Sequence, residues 1–234
     1  MKKLVIIGTG AMARDVTAFV NRYELYEIVG YACNKEYVES SRKAQAKWNI
    51  CALDELEQKY DKNDIELFVA ISQFQMLNRV RKDTFNALKQ RGFHFATLIS
   101  PTATVLSKRI GEGSWIQDSA YLSTETEIGE NVIVDILSYI AHFSKIEDHV
   151  FVAGRATIFG SVTIGEQCFI GAASTIFNDV RIGHKCLIGG GVTIKKDVPP
   201  CTQCKLPNDG VIIKQYDEDT IEMKLLPPGA FAKK

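Results

Sequence analysis

From Ile110 to Pro199 the chain repeats every six residues. Counting from Ile110, the first positions run through Ile116, Leu122, Ile128 and Val134 to Ile188 and Ile194, all aliphatic and without a slip. The fifth positions run from Ser114, Ala120, Thr126 and Val132 to Cys186, Val192 and Val198, all small or β-branched. A period of six fits neither a helix, near 3.6, nor a plain strand, at 2. It predicts a parallel β-helix of hexapeptide repeats, each six residues making one flat side of a prism. The first residue fills the interior, and the fifth sits at the turn, where only a small side chain fits. No single side buries enough apolar surface alone, so successive coils must stack. Three hexapeptides close a triangular coil, which gives about five coils. Hydrophobic residues make up 46% of the chain, and an alternating sheet of that composition would mimic two or three sixes, not the whole run.

Ahead of the repeat the pattern changes. Lys3 to Ile7 reads as a buried strand, Gly8-Thr9-Gly10-Ala11-Met12-Ala13 as a glycine turn, and the residues to about Asn21 as an amphipathic helix. This arrangement lets a phosphate approach backbone N–H groups at a helix N-terminus. A dinucleotide fold would place an acidic residue after the second strand. That strand, Glu27 to Ala32, ends in Cys33 and Asn34, which argues against NAD. A tight turn with no ligand is the alternative reading. Residues 35–50 are polar and without period. A short helix is predicted from Leu53 to Tyr60, a third strand from Leu67 to Ile71 closed by Ser72 and Gln73, a helix from Gln75 to Gln90, and a fourth strand from His94 to Ile99. Strands alternating with helices predict a small parallel sheet. Ligands of such sheets lie beyond the carboxyl ends of the strands, here at Gly8–Gly10, Cys33–Asn34 and Ser72–Gln73. The expected division is an α/β domain over 1–99, the repeat domain over 100–200 and a tail over 201–234.

The charges balance, with 28 basic and 28 acidic residues among 234, so no basic field is available for nucleic acid. No apolar stretch is long enough for a membrane span. The opening MKKLVIIGTG reads as a strand rather than a signal peptide, and the expected location is the cytoplasm. Cys168 and Cys186 occupy the small inward position. Cys201 and Cys204 form a lone CxxC without a second pair or neighbouring histidines, so no metal is expected.

Of four histidines, His94 falls in a predicted strand, and His149 and His184 at outward turns. His142 stands at the third place of its hexapeptide, facing outward between Tyr139 and Phe143. An imidazole in that setting suits a general base. A surface histidine packed against a second chain is the alternative.

The α/β opening with its IIGTG turn, the unbroken hexapeptide run and the KKDVP ending together resemble the bacterial nucleotide-aminosugar and sialic acid acetyltransferases, over about residues 2–200. The resemblance implies a left-handed β-helix, a homotrimer, acetyl-CoA as donor and a nucleotide-linked sugar as acceptor. It implies His142 as catalytic base, with Asp135 standing where the family often has an asparagine and orienting the imidazole. The acid that usually follows the histidine is Phe143 here. Gly160, Ala172 and Gly190 match positions lining the CoA arm. Gly8, Gly10, Met12, Cys33, Asn34, Ser72 and Gln73 fall where the nucleotide would be held. Met12 replaces the family's turn histidine, and Cys33 and Asn34 replace its acidic pair. The implied reaction is acetyl-CoA-dependent N-acetylation of a nucleotide-linked aminosugar in bacterial surface glycan biosynthesis. O-acetylation of a sialic-acid-like sugar, and a catalytically silent trimeric scaffold or sugar-nucleotide sensor, are the alternatives.

Overall fold

The computed structural model describes residues 1–72 and 77–206. Gln73, the expected start of the second long helix at Gln75, and the tail from 207 onward lie outside the described residues.

The first part is a parallel sheet of β1 (Lys3–Ile7), β2 (Glu27–Cys33), β3 (Ile50–Ala52) and β4 (Ile65–Val69), in the order β3-β2-β1-β4. The helices are α1 (Ala11–Arg22), α2 (Val38–Ala44), α3 (Leu56–Lys59) and α4 (Arg79–Gln90). Two elements were not expected: α2 lies in the stretch that reads as polar and aperiodic, and β3 begins at its last residue. The expected fourth strand is corrected. Phe95 makes only an isolated bridge to Leu67, whereas Leu98–Ile99 pairs with Trp115–Ile116 in the repeat. Alternation along the strands sends Leu4 and Ile6 to a core shared with α1, and Val5 and Ile7 to one shared with Leu56, Phe85 and Leu88.

The second part is a left-handed parallel β-helix. Ile128 pairs with Ile146 and Ile140 with Ile158, an 18-residue coil of three two-residue strands. The first and fifth positions fill the interior: Ile116, Ala120, Leu122, Val132, Ile140, Val150 and their successors form one buried column. At the fourth position of every hexapeptide from Gly113 to Gly191 the backbone turns through positive φ, including Leu137 (58°), Phe143 (57°) and His149 (62°). A non-glycine residue gives up roughly 1–2 kcal/mol in that conformation. The ladder bonds between coils offset it, since from Asn131 to Gly191 each αL corner residue donates its N–H to a carbonyl of the coil beneath, as His149 does to the Glu130 carbonyl at 2.8 Å.

The prism extends beyond the readable frame at both ends. Ile99 and Val105 pair with Ile116 and Leu122, so the corner between Val105 and Ile110 is one residue short. After Ile194 a corner is two residues short. Val198, expected at a fifth position, therefore bridges Ile182 at a first position, and Gln203–Cys204 adds another strand beside Leu187–Ile188. Cys204 consequently packs against the interior column, while Cys201 is exposed at a corner with φ 57°.

The sixth positions give each face its character. One face presents Trp115, Ile133, Phe151 and Phe169, and the first part of the chain covers it, with Phe19 and Phe68 edge-on to Trp115. The second presents Arg109, Glu127, Lys145, Thr163 and Arg181. The third begins with Tyr121 and Tyr139, stacked at 5.4 Å and exposed.

Helix α4 clamps one corner of the prism. Arg81 is fully buried there and has no carboxylate partner among the described residues. Its guanidinium donates to Asn131 Oδ1 (2.9 Å) and the His149 carbonyl (3.0 Å), and also bonds the Asn131 carbonyl. Lys82 pairs with Glu166 and Lys89 with Glu130. His149, expected in solvent, is thus buried beneath α4, and His94, expected in a strand, is exposed outside one.

Candidate active site

Two sites take shape. The first is a cleft of ≈ 260 Å³ at the carboxyl ends of β1, β2 and β4. Gly8, Gly10, Met12, Cys33, Asn34 and Ser72, all expected there, line it together. Gly8 has φ +122° and leaves no room for a Cβ, which would meet the Ala70 carbonyl oxygen at 2.5 Å. That close approach brings the turn against the end of β4. Gly10 caps α1 without a side-chain hydrogen bond, and a Cβ there would meet nothing within 4 Å. The first N–H groups of α1 therefore open onto space, a setting that favours an anion. Thr9 Oγ1 and Ser41 Oγ share a hydrogen bond of 2.7 Å, and Cys33 Sγ donates toward Ser41 Oγ at 3.9 Å. Burial pushes the Cys33 thiol up, so it stays neutral. Tyr37, Leu53, Val80 and Thr84 also line the cleft. Sequence reasoning missed them because the turn after β2 and the face of α4 become walls only once the sheet is built.

The second site is divided between two corners of the prism. His142 lies at one corner, exposed, with its ring over Gly160: a Cβ on Gly160 would lie 2.9 Å from Nε2. Phe143 meets the imidazole edge-on at 5.3 Å. Neither ring nitrogen has a hydrogen-bond partner among the described residues. Along the same corner, Phe159 and Phe177 stand edge to face at 5.6 Å, and Lys195 Nζ sits 5.2 Å over the Phe177 ring. Lys196 stands three coils from His142, about 14 Å at the usual strand spacing.

Asp135, Ala172 and Gly190 occupy the preceding corner. The expected pairing of Asp135 with His142 is not made within the chain. Seven residues are one side of the triangle plus one residue, which carries the backbone to the next corner rather than back to the same one. The Asp135 carboxylate instead accepts from the N–H groups of Ile136 (2.7 Å) and Gly154 (3.1 Å). Ala172 and Gly190 are exposed above it, whereas Gly160 belongs to the His142 corner. Between the two corners lies the tyrosine face, flanked by Ile136, Leu137 (56% exposed) and Phe143 (65% exposed).

Among the described residues no three His, Cys, Asp or Glu side chains converge to hold a metal. No helix there is long and apolar enough to cross a membrane.

Comparison with known proteins first gives the class. A family model for the hexapeptide repeat of succinyl-transferase matches residues 161–196. No curated protein matches the chain in sequence. Among solved structures, one of the acetyltransferase domain of PglB from Neisseria gonorrhoeae in complex with acetyl coenzyme A superposes with TM-score 0.75 at 21% identity, covering 86% of this chain and 95% of that one. A perosamine N-acetyltransferase variant from Caulobacter crescentus, in complex with CoA and GDP-perosamine, gives TM-score 0.74 at 22% identity over 87% of this chain and 93% of that one. WeeI from Acinetobacter baumannii gives 0.73 at 20% identity, covering 87% and 96%. This chain shares their two-part fold across nearly its whole described length.

Proposed function

We propose that the protein is an acetyl-CoA-dependent N-acetyltransferase acting on the amino group of a nucleotide-linked aminosugar, in bacterial surface glycan biosynthesis. One observation carries the reading. At an open corner of the prism, an imidazole without a hydrogen-bond partner among the described residues lies against a glycine, and lysines stand about three coils away. A thioester arm laid along that corner would place its carbonyl near His142 and its phosphates near Lys195 and Lys196. The nucleotide end of the acceptor fits the cleft at the α1 N-terminus. The proteins of similar fold solved with acetyl-CoA, or with CoA and GDP-perosamine, support this choice of ligands.

In the proposed reaction the amine nitrogen attacks the thioester carbonyl, and His142 takes the proton that nitrogen sheds. A backbone N–H near Gly160 steadies the oxyanion. The C–S bond then breaks, and His142 returns the proton to the departing CoA thiolate. A free amine is already nucleophilic, so one imidazole without an adjacent acid is sufficient.

The working assembly is a homotrimer. The tyrosine face with Ile136, Leu137 and Phe143 is the apolar surface it would bury. Three-fold packing through this face sets the His142 corner of one chain against the Asp135 corner of the next. Asp135 would then orient the imidazole of the adjacent chain, and Ala172 and Gly190 would form the far wall of the CoA groove. We place the protein in the cytoplasm, with both co-substrates.

The test is turnover of nucleotide aminosugars with acetyl-CoA. His142→Ala should lower kcat by about two to four orders of magnitude and leave the melting temperature unchanged, because the side chain is exposed. Near-normal turnover in that variant would remove His142 from the reaction.

A further inference from the structure

We propose that residues 211–213 of the tail, Val-Ile-Ile, add a further strand to the open end of the prism, pairing with Thr193–Ile194 and setting Ile212 over Ile194. This closure does not depend on the reaction proposed above.

The open end carries what such a strand needs. On the face that begins with Tyr121 and Tyr139, the residues on either side of each interior aliphatic donate their N–H groups to the next coil. Thr157 donates to the Ser174 carbonyl (2.8 Å), Phe159 to Ile176 (2.9 Å), Thr175 to Val192 (2.9 Å) and Phe177 to Ile194 (2.9 Å). The next two donors of that series, the N–H groups of Thr193 and Lys195, have no hydrogen-bond partner among the described residues. The interior column is also less well covered here. Val192, Ile194 and Val198 are 7–8% exposed, against 0–3% for the column from Ile116 to Ile188. Leu206, just past them in the chain, is 53% exposed. An unpaired edge above a thinly covered apolar column is a template for one more strand.

The sequence supplies that strand in register. The interior residues of this face, Ile140, Ile158, Ile176 and Ile194, lie eighteen apart, and the next place in the series is Ile212. On the adjoining face Cys204 pairs with Ile188 at a spacing of sixteen, so eight residues rather than six lead from Cys204 to Ile212. The two extra residues restore what the shortened corner removed. They fall in a stretch of turn formers, Pro207-Asn208-Asp209-Gly210. Val211, Ile212 and Ile213 are β-branched, as suits a strand, and alternation turns Ile212 inward and its two neighbours outward. The rival occupant of the edge is a second copy of this chain. Only residues 207–210 separate Leu206 from the segment, however, which holds it beside the edge at a concentration no separate chain matches. Ile213 and Lys214 would then continue the eighteen-residue series above Lys195 and Lys196, lengthening the His142 corner by one coil.

The test is hydrogen–deuterium exchange of the full chain, read at single amides. The Thr193 and Lys195 amides should exchange at least about tenfold more slowly than in Ile212→Asp, which sets a carboxylate against the interior column and releases the strand. Ile213→Asp, on the outward side, should keep the wild-type protection. The Thr175 and Phe177 amides, already bonded to the last described coil of this face, should stay protected in all three chains and show that the prism is folded. Protection at Thr193 and Lys195 should not change with protein concentration. Fast exchange of these two amides in the unmodified chain, protection undisturbed by Ile212→Asp, an equal loss in Ile213→Asp, or protection that rises with concentration, as pairing with a second copy would give, would each overturn the assignment.

Discussion

At the scale of single residues, the most telling is His149. Its place in the repeat marks it as an outward corner residue, yet it is buried, as are Asn131 and Gln167 at the same hexapeptide position in the neighbouring coils. Burial came from α4, whose docking no local pattern records. The Asn131 amide, oriented by Arg81 at its oxygen, donates to His149 Nδ1 at 3.0 Å. That bond requires a neutral ring. Burial first, and then the Arg81 charge, bring the His149 pKa down to about 4 from 6.5. A folded value below the unfolded one means that the unfolded chain takes up this proton first as the pH falls. The contribution is therefore complete above about pH 6.5 and is lost between there and pH 4, about 3 kcal/mol in all. Urea midpoints measured across this window should fall toward acid, and His149→Gln, which keeps an acceptor and cannot titrate, should flatten that part of the curve. By contrast, the outward, exposed placement of His142 was legible from its third position in the hexapeptide, because the β-helix converts place in the frame directly into direction.

At the scale of the element, the six-residue period made the coils from Ile110 to Ile194 readable, and the ends were lost for a definite reason. Corners shortened by one residue before Ile110 and by two after Ile194 shift the frame without breaking the stack. In the α/β part, α2 and β3 went unread because a seven-residue helix and a three-residue strand are too short for a period to show. The frame carries a second signal, at eighteen residues. Trp115, Ile133, Phe151 and Phe169 recur at that spacing on one face and mark the side that must be covered. Fifth-position serines show how the corner is held. Ser144 Oγ donates to the Phe159 carbonyl at 2.9 Å and accepts the Val162 N–H at 3.2 Å. Ser174 Oγ is buried with no hydrogen-bond partner among the described residues. Ser144→Ala should therefore cost about 1–3 kcal/mol, whereas Ser174→Ala should leave the melting temperature unchanged or raise it. Thermal melts of the two variants side by side decide the matter.

At the scale of the whole molecule, α4 joins the cleft to the prism. Val80 and Thr84 line the cleft, and Arg81 grips the corner carbonyls on the other side. The cleft residues were legible because they cluster at strand ends, where any parallel sheet gathers its loops. Asp135 and His142 do not meet within one chain. A triangular coil carries residues seven apart to successive corners, and this geometry has a genetic consequence. Under the proposed assembly, each chain contributes half of one pocket and the opposite half of another, so two defective copies can rescue each other. A His142→Ala chain and an Ala172→Trp chain, each inert alone, should regain activity when co-expressed, with about a quarter of the pockets intact if the copies assort at random. Pockets complete within one polypeptide would show no such revival.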